Sequence, residues 1–523
     1  MTKRSLSLSV VAALATPGVA IAGGLFVPGY GSQAQPRAGA FVAKADDASA
    51  LYYNPAGMAW QKGTSLHLGM NFIDFDQSYQ RSGAYETPED GEDLPWTGEP
   101  FEKVTDASTP AVGFGGFQGI PLIGVVSDLG GRIPLPMVFG IGMIADHGFP
   151  EREYQEDYLP DDPDSPPPPQ RYDIIEQDVS AAFPSIAAAY AITDKLAVGA
   201  RVSWGFGGSK STQFLWALRN YPEDARTDGR FAVDLKDNFV PAAALGVHFR
   251  ATPNIELGAN YNTVKHINFK GDGQAVLGPL VGLGDMQDFI APETDFPLCE
   301  GGGTIAALKT CVNFDLPQNA TVGGRYIFRD PDGRERGDVE FDVQWEDWSA
   351  SSDIEVIVDG KSGLTGLRLQ PVNVRHGFKD TYSFRLGGGW GFDIGDNRLV
   401  ARAGAAYDTA AAPLTWTRLD VDGMARTTLG TGLGFETGPW RFDLGGGVVL
   451  ESKRTVPGCN PDVDNLGCPD PAAGGDQTPQ DDRDFPDPIQ PLGDTNNQVE
   501  SPFNAGTYEQ GYILLSLGVT YLF

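Results

Sequence analysis

The chain has 523 residues, of which 69 are acidic and 38 are basic, so its formal net charge at pH 7 is −31. A charge of this sign argues against nucleic-acid binding, which requires a basic surface. The 67 glycines and the aromatic fraction of 11%, without any long helical period, argue against a soluble α/β enzyme and favour a barrel built of strands.

The N-terminus has the features of a secretory leader. Lys3 and Arg4 form a positive start, residues 6–19 are mostly apolar, and residues 20–22 read Ala-Ile-Ala, a typical cleavage site. The apolar run is shorter than the ~20 residues that a membrane-spanning helix needs. We therefore expect residues 1–22 to be a signal peptide and the mature protein to be exported.

Residues 23–63 differ in character from the rest of the mature chain. They contain many small residues and no alternating strand pattern, and residues 38–50 suit one or two short helices. Pro55 biases Asn54 away from the helical region and ends any such run. A compact segment rich in Gly and Ala packs closely against a wall, and this one is too apolar for a free tail. We predict that it lies in the lumen of a barrel as a hatch.

From about residue 65 onward the hydrophobic pattern has a period of two. In the last segment Ile513, Leu515, Leu517 and Val519 share one face, and the chain stops on Phe523. A final strand that ends in an aromatic residue resembles the assembly signal of bacterial outer-membrane barrels. Strands that alternate charged and apolar residues, as residues 339–346 do, need a polar interior.

Tight turns and long connections alternate along residues 64–523, which is typical of an outer-membrane barrel with short periplasmic turns and long, acidic extracellular loops. The fold class predicted here is all-β, a fourteen-stranded antiparallel transmembrane barrel with an N-terminal luminal hatch. The predicted strands span 65–80, 109–127, 136–148, 177–193, 196–214, 235–252, 255–270, 312–329, 338–357, 374–393, 399–417, 426–437, 441–456 and 507–523.

The four cysteines form two close pairs in stretches rich in Gly, Pro and Asp. In an exported protein, such pairs indicate local disulfides; they are Cys299 with Cys311 and Cys459 with Cys468. A zinc site is the alternative, but no histidine has ligand spacing to these cysteines. We predict no metal site and no cofactor.

Two connections, 151–170 and 461–488, are rich in carboxylates. They are interpreted as solvated loops. The alternative is that they bind divalent cations at the lipopolysaccharide surface, since hard oxygen ligands suit calcium and magnesium.

The run AGAFVAKADDASALYYNPAGMA resembles the N-terminal hatch of the FadL/TodX family of outer-membrane channels for hydrophobic compounds. Asn54, Pro55 and Ala56 match the Asn-Pro-Ala turn of that family. Residues 314–328, the strand with Trp345 and Trp348, and residues 378–390 also resemble the family, so the likeness covers essentially the whole mature chain.

The resemblance implies a monomeric barrel in the outer membrane of a Gram-negative bacterium, with a hydrophobic binding site in its lumen. It also implies a kink in the third strand that opens the wall sideways; the matching place is His147, Gly148, Phe149 and Pro150. Gly is tolerated at a β-bulge, and Pro has no backbone N–H to donate to a neighbouring strand. Both residues therefore favour a kink at this place. An ordinary strand end at the loop boundary is the alternative.

The expected function is passive uptake of long-chain fatty acids, bound in the lumen and released laterally into the membrane. A fatty-acid carboxylate suits a basic partner. Strand parity directs four arginines inward and the hatch adds a lysine; the candidates are Arg201, Arg325, Arg385, Arg402 and Lys44. Alternatively, inward acids such as Glu256, Glu340, Asp342 and Glu346 pair with these arginines in a luminal network.

Two other functions fit parts of the sequence. Aromatic hydrocarbons would use the same route without needing a basic residue. An outer-membrane lipase would use His248, His266 or His376 as its base, but no inward serine on a neighbouring strand stands out as a nucleophile. We therefore expect a channel and not an enzyme.

Overall fold

The structure is a computed structural model of the chain. It describes residues 29–85, 94–132, 134–145, 151–154, 164–215, 225–226, 228–277, 290–292, 308–362, 371–421, 423–456 and 505–523. Within these residues, no helix is long and apolar enough to cross a membrane.

The described chain consists mainly of β-strands. They are β1 (Thr64–Arg81), β2 (Lys103–Thr105), β3 (Gly113–Phe114), β4 (Phe117–Ser127), β5 (Met137–Ile144), β6 (Arg152–Glu153), β7 (Glu176–Ala191), β8 (Leu196–Leu215), β9 (Gly229–Thr252), β10 (Ile255–Asn262), β11 (Lys265–Leu277), β12 (Ile290–Pro292), β13 (Leu308–Leu316), β14 (Asn319–Arg329), β15 (Glu335–Glu346), β16 (Asp353–Ser362), β17 (Val372–Arg375), β18 (Thr381–Ile394), β19 (Asn397–Asp408), β20 (Arg426–Thr437), β21 (Trp440–Glu451), β22 (Arg454–Val456) and β23 (Gly506–Leu522). The helical pieces are short: α1 (Ala50–Tyr53) and 3₁₀ turns at Gln35–Arg37, Pro55–Trp60, Leu129–Gly131, Trp348–Ser351 and Leu414–Trp416.

These strands form one closed antiparallel barrel of fourteen spans, as predicted. Five spans are interrupted and combine β10 with β11, β13 with β14, β15 with β16, β17 with β18, and β21 with β22. The first and last strands close the barrel, since β1 pairs with β23 from Ser65↔Leu522 to Arg81↔Gly506. The sheet therefore has no free edge along these two strands.

Several strand limits differ from the predicted ones for local reasons. The second span begins as a continuous strand only at Phe117, because Gly115 has a φ of +58° and turns the chain. The ninth span is interrupted at Trp348–Ser351, where the Trp348 ring packs against Phe378 with ring centroids 5.4 Å apart. The eleventh ends at Asp408 instead of reaching residue 417.

The outer wall carries an exposed apolar band bordered by aromatic side chains. At the end with the short turns, Trp440, Tyr521 and Phe523 contact one another, with ring centroids 4.5 and 4.7 Å apart along the row. At the other end, the Trp204 and Phe239 rings lie 6.3 Å apart. Apolar bands flanked by aromatic girdles are typical of transmembrane barrels.

Residues 29–63, here called the luminal segment, lie against the inward faces of the strands. Leu51 and Met58 of this segment are almost fully buried and pack with wall residues such as Leu122 and Val138 in the main hydrophobic core. This core lies between the segment and the wall.

Candidate functional site

Acidic side chains of β15 fix the luminal segment to the wall. The Arg37 guanidinium donates to both carboxylate oxygens of Asp338, at 3.1 and 2.7 Å, and to Glu340 at 3.1 Å. The backbone amides of residues 41–44 also donate to β15, the first two to Asp342 and the last two to Glu340. Charge-assisted bonds of this kind are stronger than neutral ones, so they define a firmly held side of the segment.

A row of glycines forms the surface on which the luminal segment rests. At each of them a Cβ atom would come within 2.0–2.6 Å of an atom of the segment, closer than real Cβ contacts. The row places one glycine on each of eight strands: Gly199, Gly246, Gly258, Gly387, Gly404, Gly430, Gly445 and Gly518. Direct pairing of Gly387 with Gly404, and of Gly404 with Gly430, keeps part of the row at one height in the barrel.

The turn at Asn54 joins α1 to the next helical turn and binds the wall. Asn54 is fully buried, and its Nδ2 donates to the carbonyls of Val42 at 2.9 Å and of Val247 in β9 at 3.0 Å. Its Oδ1 accepts from the Ala56 amide at 3.1 Å and so caps the turn that starts at Pro55. The side chain thus connects two parts of the segment with one wall strand.

An apolar cavity lies above the luminal segment, at the end of the barrel with the long connections. The space between its walls is about 1120 Å³, part of which is open to solvent. The apolar lining residues come from six strands and the connections beside them: Ile174, Val179, Phe231, Val233, Phe269, Val312, Phe314, Leu316, Trp348, Ile354, Val356, Val374, Phe378 and Val421. A concave apolar site with few polar groups is the usual form of a small-molecule binding site.

The charged groups that line this cavity are acids. Asp173 and Asp420 lie together at its rim, where Arg418 donates to Asp173 at 3.0 Å and His376 contacts Asp420 at 2.9 Å. Burial raises the pKa of Asp173 to about 6, against the opposing effect of Arg418. Burial also raises the pKa of Asp420. The attraction of His376 and Arg418 lowers it more, so the pKa of that carboxyl lies below its usual range. The third acid in the lining is Asp315.

Two of the predicted carboxylate-binding arginines are occupied by the protein itself. Arg201 donates to the Leu51 carbonyl at 2.7 Å and to Asn262 at 3.0 Å. Arg402 forms an ion pair with Asp443, with an Nη1–Oδ1 distance of 2.7 Å. Both side chains are buried and help to position the luminal segment or its neighbouring strands.

Two more basic candidates form ion pairs below the cavity. Arg325 pairs with Glu256 at 2.8 Å and with Asp338 at 3.1 Å. Lys44 pairs with Asp46 at 2.6 Å. The luminal network that the sequence offered as an alternative therefore exists for Arg325, through Glu256, whereas the Lys44 pair is local to the segment.

Arg385 is different from the other candidates. Within the described part of the chain, its half-buried side chain makes neither an ion pair nor a hydrogen bond. Its Cδ and Nη1 lie 3.4 Å from the position that a Cβ on Gly39 of the luminal segment would take. The next inward-facing residue of β18 after Arg385 is Gly387, which belongs to the glycine row. Arg385 therefore lies at the upper surface of the segment, on the side of the cavity.

The opposite side of the luminal segment faces a charged space near the short turns. Its lining contains the side chains of Lys44, Asp46, Lys195, His248, Arg250, Glu256, Arg325, Arg329 and Glu335. Burying an apolar molecule among such groups displaces their water without replacing it. This end of the lumen is therefore unfavourable for a hydrophobic ligand.

The histidines considered for a lipase have other contacts. His248 is bonded to the Ala43 carbonyl at 2.7 Å and to the Trp60 indole at 2.9 Å. As far as the chain is described, none of the rings of His248, His266 and His376 bonds a serine hydroxyl. The described residues therefore place no serine nucleophile at these rings.

Some predicted residues lie outside the described residues. They are His147, Gly148, Phe149 and Pro150 of the predicted kink, Cys299, Cys459 and Cys468, residues 1–28, and most of the acidic loops. Cys311 is described and is disulfide-bonded.

Sequence reasoning missed Tyr30 and the glycine row. The hydroxyl of Tyr30 donates to the Pro121 carbonyl in β4 and accepts from the Ala145 amide just after β5. No local pattern marks such a bond across 115 residues. The glycines did carry a signal, because they recur at inward positions on successive strands.

The comparisons with known proteins agree with this architecture. A family model described as outer membrane protein transport protein (OMPP1/FadL/TodX) matches residues 12–453. A comparison with curated proteins finds no match.

Several solved structures have the same fold. A Pseudomonas aeruginosa FadL homologue has 17% identity and a TM-score of 0.66, over 96% of this chain and 100% of that chain. The Ralstonia pickettii toluene transporter TbuX has 15% identity and a TM-score of 0.59. The P. putida toluene transporter TodX has 16% identity and a TM-score of 0.58. Each of these two matches covers 95% of this chain and 99% of the transporter. At these identities the likeness shows the fold alone.

Proposed function

Because the chain belongs to the OMPP1/FadL/TodX family and is therefore an outer-membrane transporter of hydrophobic compounds, we propose that it takes up long-chain fatty acids passively. The ligand binds in the apolar cavity above the luminal segment, which acts as a hatch, and leaves sideways through the wall. The observation that carries this proposal is the position of the apolar cavity directly above a tightly packed segment with a charged space beneath it.

The cavity supports a route that keeps the ligand out of water. Leaving an apolar environment costs about 0.8 kcal/mol for each CH₂ group, so a long alkyl chain crosses a water-filled pore very unfavourably. A cavity walled by Val, Ile, Leu and Phe removes most of that cost. Diffusion down a gradient then requires no energy source.

Lateral exit is supported by what lies below the cavity and by a short strand ladder in the wall. Downward movement would have to displace the luminal segment, which Arg37 and the glycine row hold against the wall. It would then lead the ligand among charged side chains. In the wall between β1 and β7, β4 and β5 pair only from Ser127↔Phe139 to Ile123↔Met143, so their ladder stops below the top of β4.

Arg385 favours a fatty acid as the cargo. It is a luminal cation at the upper surface of the segment with no protein carboxylate within ion-pair distance among the described residues. A carboxylate bonded to a guanidinium forms a strong, oriented pair. The head group would lie at Arg385 while the alkyl chain extends along the apolar lumen.

A second candidate cargo is a neutral aromatic hydrocarbon. Among the described residues, those that line the cavity include three acids and no Lys, Arg or His. Such a lining repels a carboxylate but not a neutral ring. Two of the structurally similar proteins are described as toluene transporters.

Uptake of labelled oleate by cells that lack their own fatty-acid channel tests the proposal. We expect uptake with the intact protein, and lower uptake with Asn54→Ala/Pro55→Gly and with Gly148→Val at unchanged surface abundance. Uptake of toluene without oleate would favour the neutral cargo. Uptake of neither compound would contradict the proposed function.

A further inference from the structure

The β4–β5 ladder ends at a proline. Pairing runs to Ile123↔Met143, while β4 itself continues to Phe117 and so passes through Pro121. Proline has no N–H to donate to a neighbouring strand. On its other edge β5 remains paired with β7 as far as Ile144↔Phe183. The wall therefore loosens on one side of β5 only.

The hydroxyl of Tyr30 lies where the next bond of this ladder would form. Continuing the register by two residues places Pro121 opposite Ala145. Instead of a direct bond, the Ala145 amide donates to the Tyr30 hydroxyl at 3.0 Å, and that hydroxyl donates to the Pro121 carbonyl at 2.5 Å. The luminal segment thus contributes one bridging hydroxyl between the two wall strands.

Tyr30 is held rigidly enough to play a structural role. Its side chain is fully buried, and its ring packs edge-on against Tyr52 with centroids 5.4 Å apart. Losing the hydroxyl would leave the Ala145 amide and the Pro121 carbonyl without this partner, in a place where unpaired polar groups are costly.

We propose that the Tyr30 hydroxyl is a latch that holds β4 and β5 together at the end of their ladder and links opening of the wall to the luminal segment. This rests on the proposed lateral release. The latch acts at Ala145, immediately before residues 146–150, where the sequence predicts the kink of the third strand. Tyr30 is a positioning residue, since it acts through the strands and not on the ligand.

The bonding around Tyr30 suits a part of the segment that moves. The side near β15 carries the ion pairs of Arg37. Residues 29–34 on the Tyr30 side contain no charged side chain, so neutral hydrogen bonds such as those of Tyr30 hold this side. Neutral bonds are weaker than charge-assisted ones, which makes displacement of this side less costly than displacement of the other.

The test compares Tyr30→Phe with Tyr53→Phe. Both variants keep the ring and remove one hydroxyl from the luminal segment, but in the described structure the Tyr53 hydroxyl makes no hydrogen bond. Hydrogen exchange of the Ala145 amide in the purified protein reports the strand contact. The rate at which bound, labelled oleate passes from the protein into lipid vesicles reports release through the wall.

For Tyr30→Phe we expect Ala145 to exchange about tenfold faster than in the wild type, as loss of one hydrogen bond predicts. Release of oleate should also be faster, and Tyr53→Phe should match the wild type in both measurements. Wild-type exchange at Ala145 in Tyr30→Phe would overturn the latch. Faster exchange with an unchanged release rate would overturn its link to transport. Failure of the wild-type protein to bind or release oleate and toluene would instead overturn the proposed function.

Discussion

Arg37 in the luminal segment and Asp338 in β15 form a two-point ion pair, with Nη1–Oδ1 and Nη2–Oδ2 distances of 3.1 and 2.7 Å. Neither side chain is more than 4% exposed. A planar guanidinium matched to a carboxylate fixes direction as well as distance. This pair therefore determines where the segment meets the wall.

Removing Arg37 should loosen the luminal segment. Arg37→Ala leaves Asp338 with Arg325 and Glu340 with the amides of residues 43 and 44, so we expect a cost at or below the ~3–5 kcal/mol typical of breaking a buried ion pair. We expect higher ion conductance in planar bilayers and greater sensitivity of cells to large polar antibiotics. The control is Arg336→Ala, which breaks the partly exposed pair with Asp393 and should change neither readout. Equal conductance in wild type and Arg37→Ala would contradict this role of the pair.

The glycine row should not tolerate side chains. A Cβ at Gly404 would lie 2.2 Å from the Arg37 carbonyl carbon, whereas at Gly446 the nearest atom is 3.7 Å away. Overpacking of this kind costs about 1–3 kcal/mol. Gly404→Ala should make the luminal segment accessible to trypsin, and Gly446→Ala should not. Equal protection in the two variants would show that the segment does not depend on this contact.

Arg385→Gln should weaken binding of a fatty acid specifically. Loss of a charge-assisted hydrogen bond, worth about 1.5–3 kcal/mol, predicts at least a tenfold higher Kd for oleate. Binding of methyl oleate, which lacks the charge, should change little. Arg329→Gln, a basic residue in the charged space near the short turns, serves as the matched variant. Unchanged oleate affinity in Arg385→Gln would remove the main support for a fatty-acid cargo.

The rim of the cavity should titrate near pH 6. Burial raises the pKa of Asp173 to about 6, above its usual value near 3.9. Because the folded state binds this proton more tightly than the unfolded state, protonation of Asp173 stabilises the fold. This stabilisation is complete below about pH 4 and is lost as the pH rises through 6. Fluorescence of Trp348, which lines the same cavity, should follow this titration.

The groups facing Asp173 determine the controls for that titration. Arg418 donates to it, and Asp420 with its partner His376 lies beside it. Asp173→Asn should abolish the fluorescence change near pH 6, and His376→Gln should retain it. A fluorescence change near pH 6 that survives in Asp173→Asn would show that Asp173 is not its source.

The fourteen spans could be predicted because alternation with a period of two is a local property of the sequence. The helical turn at Trp348 could not, because it depends on a ring contact with Phe378 from another part of the chain. The largest differences in span limits lie elsewhere, at the start of the second span and at the end of the eleventh.

The site was predicted less completely than the fold. Parity placed Arg325 and Arg385 on the inward face, but only register and packing show that the first has carboxylate partners. The bridging contact of Tyr30 joins residues far apart in the chain. Its position became visible only once the end of the β4–β5 ladder was known.

The central claim is that cargo leaves through the wall and does not pass the luminal segment. A cross-link between segment and wall tests it most directly. A Cβ at Gly124 of β4 would lie 3.0 Å from the Ala48 Cβ, close to the ~3.5–4.5 Å of a disulfide. Oleate uptake is measured for Ala48→Cys/Gly124→Cys before and after oxidation, with each single variant as a control. The cross-link does not involve Tyr30, Pro121 or Ala145, so the wall can still open at these residues and we predict equal uptake in both states. Uptake that stops on oxidation and returns on reduction would contradict lateral release past a segment that is fixed at residue 48.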